Sequence, residues 1–442
     1  MSGRLFASAA ALTLMAGTAF AAMPAAAQDV AITNATLVIG DGSAPVPQGT
    51  VVIRSGRVVA AGANVAVPQG MDTVDAAGRY VTPGIVGGFS RVGLIEIDAV
   101  DGSNDADASE SIYGPAIDIA PALNPLGVPV GVNRMNGVTR ALVFPGASAG
   151  LFDGRGALVD LGADNDMVTR AGLFQYAELG EAGAERAGGT RASAILTFRN
   201  LLAEAAEFAR SPGTYDGRSR DALLNRADAA ALGRVLDGRD RLFIKVSRAS
   251  DILAVINLLR DYPRIKATLI GAQEGWMVAR EIAAAHLPVI ASALSDLPTS
   301  FEQLAATQSN IGRMRAAGVT VGIGLVDDNE THRLAYARQY AGNLVALRHV
   351  AGATGLSWDE AFATIASGPA AAAGVDDLVG SLRPGRVGDV VIWDGDPLEV
   401  TSAPAMVWID GVAQSLVSRQ TELLRRYMDP REGNLPNAYD PR

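Results

Sequence analysis

Short, unbroken apolar segments alternate with amphipathic segments between about residues 242 and 325, and this alternation constrains the fold more than any other feature. RLFIKV precedes SDILAVINLLRDY, KATLIG precedes GWMVAREIAAA, LPVIASAL precedes SFEQLAATQSNIGRMRAAG, and VTVGIGL follows. Unbroken apolar runs are typical of strands that are buried on both faces. The pattern therefore predicts repeated strand–helix units around a parallel sheet.

The region before these units is harder to divide. GVTRALVF near Gly137 is predicted to be a second strand, and GALVDL near Gly156 is a candidate third strand. Residues 162–240 contain one clear helix, SAILTFRNLLAEAAEFARS, but the pattern does not define their strands. The chain is predicted to be α/β, with the strands before and after this gap in one barrel or sheet.

Both ends of the folded region have a different, β-rich pattern. The first end contains AITNATLVIG and GTVVIRSGRVVAAG, and the second contains GDVVIWDGDPLEV and MVWIDGV. Short strands separated by Asp-Gly and Ser-Gly turns indicate a small sandwich. The predicted organisation is a signal peptide, the first part of a sandwich, a barrel, the second part of the sandwich and a tail, at residues 1–27, 28–82, 83–380, 381–420 and 421–442.

The N-terminus has the pattern of a secretory signal. Arg4 is followed by an apolar stretch over residues 5–20 and by small residues up to Ala27. We expect cleavage after Ala27, with Ala21 as the alternative, and a periplasmic or secreted protein. The apolar stretch is too short for a bilayer span, so no membrane insertion is expected.

Composition excludes several classes of function. The chain has 442 residues, of which 49% are hydrophobic, so it can bury a large core. It has no cysteine, which excludes disulfides, thiolate metal sites and cysteine nucleophiles. Its formal net charge of −10 opposes binding to nucleic acid. The expected partner is a small-molecule ligand, and self-association is left open.

Two motifs carry a family resemblance. VTPGIVGGFSRVGL at residues 81–94 resembles the first barrel strand of the amidohydrolase superfamily, and LRPGRVGDVVIWDGDP resembles the C-terminal signature of that family. The resemblance covers nearly all of the chain after the signal and is closest to imidazolonepropionase-like members. It implies a (β/α)8 TIM-like barrel with a composite β-sandwich formed by the N- and C-terminal segments.

The resemblance also implies hydrolysis of C–N bonds other than peptide bonds. In the family, one or two divalent metals, zinc among them, lie at the barrel mouth and activate water. Two histidines on strand one, a Lys or Glu on strand four, histidines on strands five and six and an Asp on strand eight hold them. The corresponding positions here are Phe89 and Arg91, Lys245, Gln273 with Glu274 adjacent, and Asp327 or Asp328.

These substitutions predict a degenerate metal site and no metal cofactor. A phenyl ring has no donor atom, and a guanidinium has no free lone pair. If Arg91 and Lys245 both face the mouth, two fixed positive charges replace the metals and face Asp327 or Asp328. The result is either a salt-bridged plug or a pocket for a small anion. Lys245, Asp327 and Asp328 are the catalytic candidates, and Lys245 is also considered as a base or Schiff-base nucleophile.

Other residues are candidates for lining the pocket. His332 follows the strand-eight acids closely enough to reach the mouth, whereas His286 and His349 are expected on the surface. Glu96 belongs to an acidic loop, EIDAVDGSNDADASE, which lacks the glycine and glutamate of an EF-hand. Ser148 lies in a G-x-S-x-G match, but no helix follows it.

Three functional hypotheses follow. The first is an exported amidohydrolase-family protein with weak or no metal-dependent hydrolysis. The second is a protein that binds a small anion or a cell-envelope partner at the barrel mouth through Arg91 and Lys245. The candidates for substrate binding are Arg91, Phe89, Gln273, Glu274, Glu96 and His332. The third is a hydrolase with a non-standard carboxylate metal site, with the acids Glu96, Asp98, Glu274 and Asp327.

Overall fold

The computed structural model describes residues 27–97, 99–213, 222–326 and 331–428. The predicted signal therefore lies outside the described residues except for Ala27. The strands of the described part are β1 (Val30–Leu37), β2 (Val46–Arg54), β3 (Arg57–Gly62), β4 (Asp72–Asp75), β5 (Tyr80–Pro83), β6 (Ile85–Ser90), β7 (Val138–Val143), β8 (Phe152–Asp160), β9 (Val168–Glu178), β10 (Arg241–Val246), β11 (Ala267–Gly271), β12 (Val289–Ala291), β13 (Val321–Ile323), β14 (Val390–Trp393), β15 (Pro404–Ile409) and β16 (Val412–Ala413).

The helices of the described part are mostly short and lie mainly outside the strands of the barrel. They are α1 (Val128–Met135), α2 (Glu181–Arg186), α3 (Arg191–Arg210), α4 (Arg226–Leu236), α5 (Ala249–Leu259), α6 (Ala279–Ala284), α7 (Asn310–Ala316), α8 (Tyr336–Ala346), α9 (Trp358–Ala363), α10 (Ser367–Ala373) and α11 (Arg419–Met428). The helix predicted from SFEQLAATQSNIGRMRAAG is shorter than expected, because only its second half forms α7. No helix in these residues combines the length and apolar character needed to cross a bilayer.

Strands β6 to β13 pair in chain order and form a nearly closed barrel. The first and last strands meet at the mouth, where the Leu325 amide donates to the Phe89 carbonyl over 3.4 Å. At the opposite end, the carbonyls of Thr364 and Ile365 accept from Ile323 and Val86 and fill the gap between these strands. The predicted barrel is therefore confirmed.

The barrel differs from a regular (β/α)8 barrel at its third strand. β8 is antiparallel to both β7 and β9, so these three strands form a meander. The physical reason is the length of the connections, residues 144–151 and 161–167. A parallel crossover needs a dozen or more residues, so connections this short must return the chain antiparallel. As a result the start of β8, at Phe152, lies beside Ala177 near the end of β9.

The satellite sheet is built from both ends of the chain, as the sequence predicts. Its strand order is β16-β15-β14-β5-β1-β2-β3, with β4 also paired to β1. The two chain ends join where β5 pairs antiparallel with β14. Hydrogen bonding makes this one branched sheet, and it has its own apolar core, which includes Ile32, Val51 and Trp408.

A buried arginine connects the barrel to the satellite sheet. Arg140 on β7 is 1% exposed and donates to both oxygens of Asp389, at 2.7 and 3.1 Å. It also pairs with Asp410 at 2.6 Å and lies 3.7 Å from Asp160. Buried charge is costly unless it is paired, so this group fixes the orientation of the sheet on the barrel.

Candidate functional site

Two oppositely charged side chains lie at the ends of neighbouring barrel strands. Lys245 on β10 is in register with Glu178, the last residue of β9. The ammonium Nζ of Lys245 is 3.2 Å from Oε1 of Glu178. Parallel strands in register end at the same edge of a barrel, and active sites lie at this edge. Lys245 thus lies at the barrel mouth, beside Glu178, an acid that the sequence analysis did not identify.

The ion pair continues into a longer chain of charges. Arg186, the last residue of α2, donates to Glu178 Oε2 over 2.9 Å and to Asp153 Oδ1 over 2.7 Å. Asp153 reaches this position because antiparallel β8 begins at the mouth. We call Asp153, Glu178, Arg186 and Lys245 the mouth cluster; its charges alternate along the chain of contacts.

Burial and neighbouring charges set the protonation of the two acids in opposite ways. Burial by itself raises the pKa of Glu178, but the charges of Lys245 and Arg186 outweigh it, so the pKa of Glu178 is lowered and this carboxylate is ionised. Burial raises the pKa of Asp153 to about 7. The positive charge of Arg186 opposes this rise, and the negative charge of Glu178 adds to it. The cluster therefore holds one fixed negative charge and one carboxyl group that titrates near neutral pH.

An aromatic group closes the barrel below this cluster. Phe89 is 2% exposed and stacks on Phe144, with ring centroids 4.4 Å apart. Its ring also meets the edge of Tyr176 at 6.1 Å. The Tyr176 hydroxyl donates to Glu178 over 3.2 Å, and burial together with the charge of Glu178 raises its pKa well above the usual range. Tyr176 is therefore a neutral hydrogen-bond donor below the cluster.

Arg91 lies just past the end of β6 on the same side of the barrel. The positive charge of Arg91 lowers the pKa of Tyr176, against the effect of burial, so the Arg91 guanidinium lies near the cluster. Within the described part of the chain, its buried Nε has no hydrogen-bond partner. An arginine that is buried in part and retains an unused donor can bind a carboxylate or a similar anion.

The two residues predicted on strand six have different surroundings. Gln273 is 1% exposed and follows β11 at the mouth. The carboxylate of Glu274 accepts from the Ala249 amide at the start of α5 over 3.0 Å, and from the Ala305 amide over 3.1 Å. Glu274 therefore connects a helix start to a loop, and these amides occupy both of its oxygens.

Glu96 and His332 lie in a second place, next to helices α1 and α8. Both line a cavity of about 480 Å³, which we call the α1–α8 cavity. The carboxylate of Glu96 accepts from the Val128 amide at 3.0 and 3.2 Å and caps the start of α1. The carbonyl of His332 accepts from the Asn133 side chain over 2.6 Å. These two predicted site residues are thus brought together.

Three predicted acids, Asp98, Asp327 and Asp328, lie outside the described residues. The residues on either side of Asp98 are described: Ser103 donates to the carbonyls of Ile97 and Val100 and so holds a turn. Ser148 also holds a turn, because its hydroxyl donates to the Phe152 carbonyl over 3.0 Å.

Sequence reasoning missed Asp153, Glu178 and Arg186. One pattern could have identified Glu178: LFQYAE at residues 173–178 is a buried apolar run that ends in an acid, and the family resemblance implies Lys or Glu on strand four. Asp153 had no such pattern, because it lies at the start of a strand that runs against its neighbours. Arg186 had no such pattern either, because it reaches the cluster only through the way α2 packs in the folded protein.

The fold and the position of the site define a class. The protein is a barrel with polar residues at the C-terminal strand ends and a satellite sheet made from both chain ends, the architecture expected of amidohydrolases. A model described as "Amidohydrolase family" matches residues 302–413. The "Amidohydrolase tasK" of Hapsidospora irregularis is 25% identical over 382 residues, which are 79% of this chain and 38% of that protein.

Solved structures have the same fold. An amidohydrolase from Thermotoga maritima MSB8 superimposes with a TM-score of 0.75 at 21% identity and covers 88% of this chain and 100% of its own. A molinate hydrolase has a TM-score of 0.53 at 18% identity and covers 94% and 98% of the two chains. The chain is therefore similar to amidohydrolases in part of its sequence and in its fold. It spans well under half of the length of its curated relative from Hapsidospora.

Proposed function

We propose that this protein binds a small carboxylate at its barrel mouth without a resident divalent metal, and that it has weak or no metal-dependent hydrolytic activity. The supporting observation is the ion pair between Lys245 and Glu178, 3.2 Å apart at adjacent strand ends. The family resemblance implies metal ligands on these two strands. Here one of the two groups is a cation.

The donor set at the mouth does not fit a divalent metal. An ammonium that is paired with Glu178 has no free lone pair, and Arg91 and Phe89 supply none. Arg186 adds another positive charge next to Glu178. Among the described residues there is no group of three or more His, Cys, Asp or Glu side chains that could hold a metal ion. We therefore propose that the metal site of the family is degenerate in this protein.

A carboxylate fits the same groups well. Lys245 retains 29% side-chain exposure, so its ammonium can contact a ligand as well as Glu178. Arg91 supplies a fork-shaped donor with a buried Nε. A carboxylate between these two cations exchanges water for two charge-assisted hydrogen bonds. Phe89 lies in the barrel interior below these cations, and Tyr176 holds Glu178 in place from beneath.

One observation favours a second candidate, hydrolysis of C–N bonds without metal. The pKa of Asp153 is about 7, which is suited to a group that gives or accepts a proton at neutral pH. In such a reaction Asp153 would take a proton from water, and Arg186 would hold its carboxylate in place. The non-standard carboxylate metal site is less favoured, because backbone amides occupy the oxygens of Glu96 and Glu274.

The experiment combines metal content with ligand binding. Protein from cells grown with zinc and manganese, purified without chelator, is expected to contain far less than one equivalent of metal by mass spectrometry. A panel of small carboxylates is expected to raise its melting temperature, and Arg91→Gln or Lys245→Met should each remove most of that shift. The matched control is Arg239→Gln, since Arg239 lies in an exposed ion pair.

Two results would overturn the proposal. The first is near-stoichiometric metal together with C–N hydrolysis that chelator abolishes. The second is ligand stabilisation that is unchanged in both the Arg91 and the Lys245 variants. Hydrolysis that persists in chelator and is lost in Asp153→Asn would select the second candidate instead.

We also propose that the protein is exported to the periplasm or secreted, after cleavage behind Ala27. The described fold agrees with this position, because the Gln28 amide already donates to Gly411 in the satellite sheet over 2.8 Å. A cut there would leave every strand of the described residues intact, because the first of them begins at Val30. Intact mass of protein from the periplasmic fraction should correspond to a chain that starts at Gln28; a cytoplasmic, full-length chain would refute export.

A further inference from the structure

The α1–α8 cavity is separate from the barrel mouth and has its own lining. One face of α1 contributes Val128, Val132 and Asn133, and α8 contributes Gln339 and Arg338. Its volume of about 480 Å³ is within the range of small-molecule sites. Asn133 holds the two walls together, because its side chain donates to the His332 carbonyl and accepts from the Ala335 amide at 3.1 Å.

Arg338 is the buried charge of this cavity. It is 8% exposed, and burial lowers its pKa, an effect that the charge of Asp394 only partly opposes. Both of its terminal nitrogens donate to the Ser402 carbonyl at 3.1 Å, and its guanidinium lies over the Trp393 ring at 4.8 Å. Its Nε is buried and has no hydrogen-bond partner in the described part of the chain. The side edge of its fork, formed by Nε and the neighbouring nitrogen, therefore retains donors.

Comparison with Arg140 shows what Arg338 lacks. Arg140 is also buried, more deeply than Arg338, and three aspartates surround it. No carboxylate of the described residues lies within ion-pair distance of Arg338. The two acids of the cavity lining do not fill this role: Glu96 caps α1, and Glu399 is exposed to solvent. A buried cation without a counter-ion is costly unless an anion joins it.

We propose that the α1–α8 cavity is a second ligand site, which binds a carboxylate with an apolar body. The carboxylate accepts from the guanidinium of Arg338, which lines the cavity and carries donors suited to a carboxylate. The apolar body lies against Val128, Val132 and Val400 on the wall. This site is independent of the mouth cluster, so it can exist whether or not the mouth binds a ligand.

The test uses 4-phenylbutyrate and its uncharged amide as probes. Binding is measured by calorimetry in an Arg91→Gln/Lys245→Met background, so that the barrel mouth does not contribute. The acid should bind, and the amide should bind at least about tenfold more weakly, since it lacks the charge that Arg338 pairs with. Equal binding of acid and amide, or no binding of the acid, overturns the proposal.

Two variants then locate the site. Arg338→Lys keeps the charge but loses the fork, and should weaken binding of the acid about tenfold. Gln339→Trp fills the cavity from an exposed position, so the fold is retained, and should abolish binding. Ala346→Trp, at an exposed position of the same helix away from the lining, is the matched control. Unchanged affinity in both Arg338→Lys and Gln339→Trp places the probe elsewhere and refutes the assignment.

Discussion

Lys245 has a carboxylate, Glu178, in register on the neighbouring strand. The Tyr176 hydroxyl donates to the same carboxylate. The side chain of Glu178 is 10% exposed, so its charge depends on Lys245 and Arg186 for compensation. Removing one member of a buried pair leaves the other charge uncompensated. The energetic coupling between these two residues is therefore measurable by stability alone.

We expect Lys245→Met to lower the free energy of unfolding by about 2 kcal/mol, because Glu178 keeps Arg186 as a partner. Glu178→Gln should also be destabilising, and the double variant should lose less than the sum of the two. Urea unfolding of the four proteins measures this coupling. The exposed pair of Arg239 and Asp237 is the control, with an expected coupling below about 0.5 kcal/mol. Additive losses at the mouth would contradict the ion pair.

Asp153 should make stability depend on pH. The pKa of Asp153 is about 7 in the folded protein, against 3.8 for an unperturbed Asp. Between these values the folded state binds more protons than the unfolded state, so the free energy of unfolding decreases as pH rises. Asp153→Asn removes this dependence. Between pH 4 and pH 7 the free energy of unfolding of the variant should therefore rise, relative to that of the wild type, by up to about 4 kcal/mol.

Urea midpoints at several pH values provide the measurement. Asp160, whose pKa is raised to about 6 by burial, adds a slope of the same sign in both proteins. The comparison of wild type with Asp153→Asn therefore isolates Asp153. Asp237→Asn, on the surface, should give a curve parallel to that of the wild type. Parallel curves for Asp153→Asn would show that this group is ionised in the folded state.

At the scale of elements, antiparallel β8 determines the geometry of the mouth. Its direction brings Asp153 to the side of Glu178, and its close fit depends on Gly156. A Cβ at Gly156 would meet the ring of Phe174 and would lie 2.6 Å from the Val143 carbonyl oxygen. Both neighbours are buried and one is backbone, so neither can yield easily.

Gly156→Ala is expected to cost about 1–3 kcal/mol in the free energy of unfolding, through overpacking of the barrel wall. Gly150→Ala is the matched control in the same meander, because nothing lies within 4 Å of its Cβ position. Thermal or urea unfolding compares the two variants. Equal stability of both would mean that β8 is not packed as closely as described.

At the scale of the whole molecule, Arg140 joins two parts whose residues are far apart in sequence. Asp389 and Asp410 belong to the C-terminal part of the satellite sheet, while Arg140 belongs to the barrel. Arg140→Met leaves these acids and Asp160 without their cation, and should cost about 3–5 kcal/mol at neutral pH. Arg140→Lys should cost less, because it keeps the charge and loses only the fork.

The loss in Arg140→Met should shrink as pH falls. Burial raises the pKa of Asp160 and Asp410 in the folded protein, and the charge of Arg140 opposes this rise. Without that charge both pKa values rise further, so protonation favours the folded variant. Urea unfolding at pH 7 and pH 5 tests this, with Arg140→Lys as the reference at both values. A loss in Arg140→Met that is constant with pH would show that the aspartates do not depend on Arg140.

The sequence predicted the general architecture because its patterns are local. Unbroken apolar runs identified β10, β11, β12 and β13, and the two end motifs identified the satellite sheet. Motif positions also placed Lys245 at the mouth and Gln273 after β11. These features depend on residues that are close together in the chain.

The sequence alone did not identify the mouth cluster or the pairing of Arg140. Asp153, Glu178, Arg186 and Lys245 lie on four different elements, and Asp153 arrives only because β8 runs antiparallel. Charge compensation depends on distances of a few ångströms across the barrel, which pattern and composition do not encode. The sequence thus determined the class of fold and the residue types at the strand ends, whereas the tertiary structure decided which charges meet, because burial and distance set their pKa values and partners.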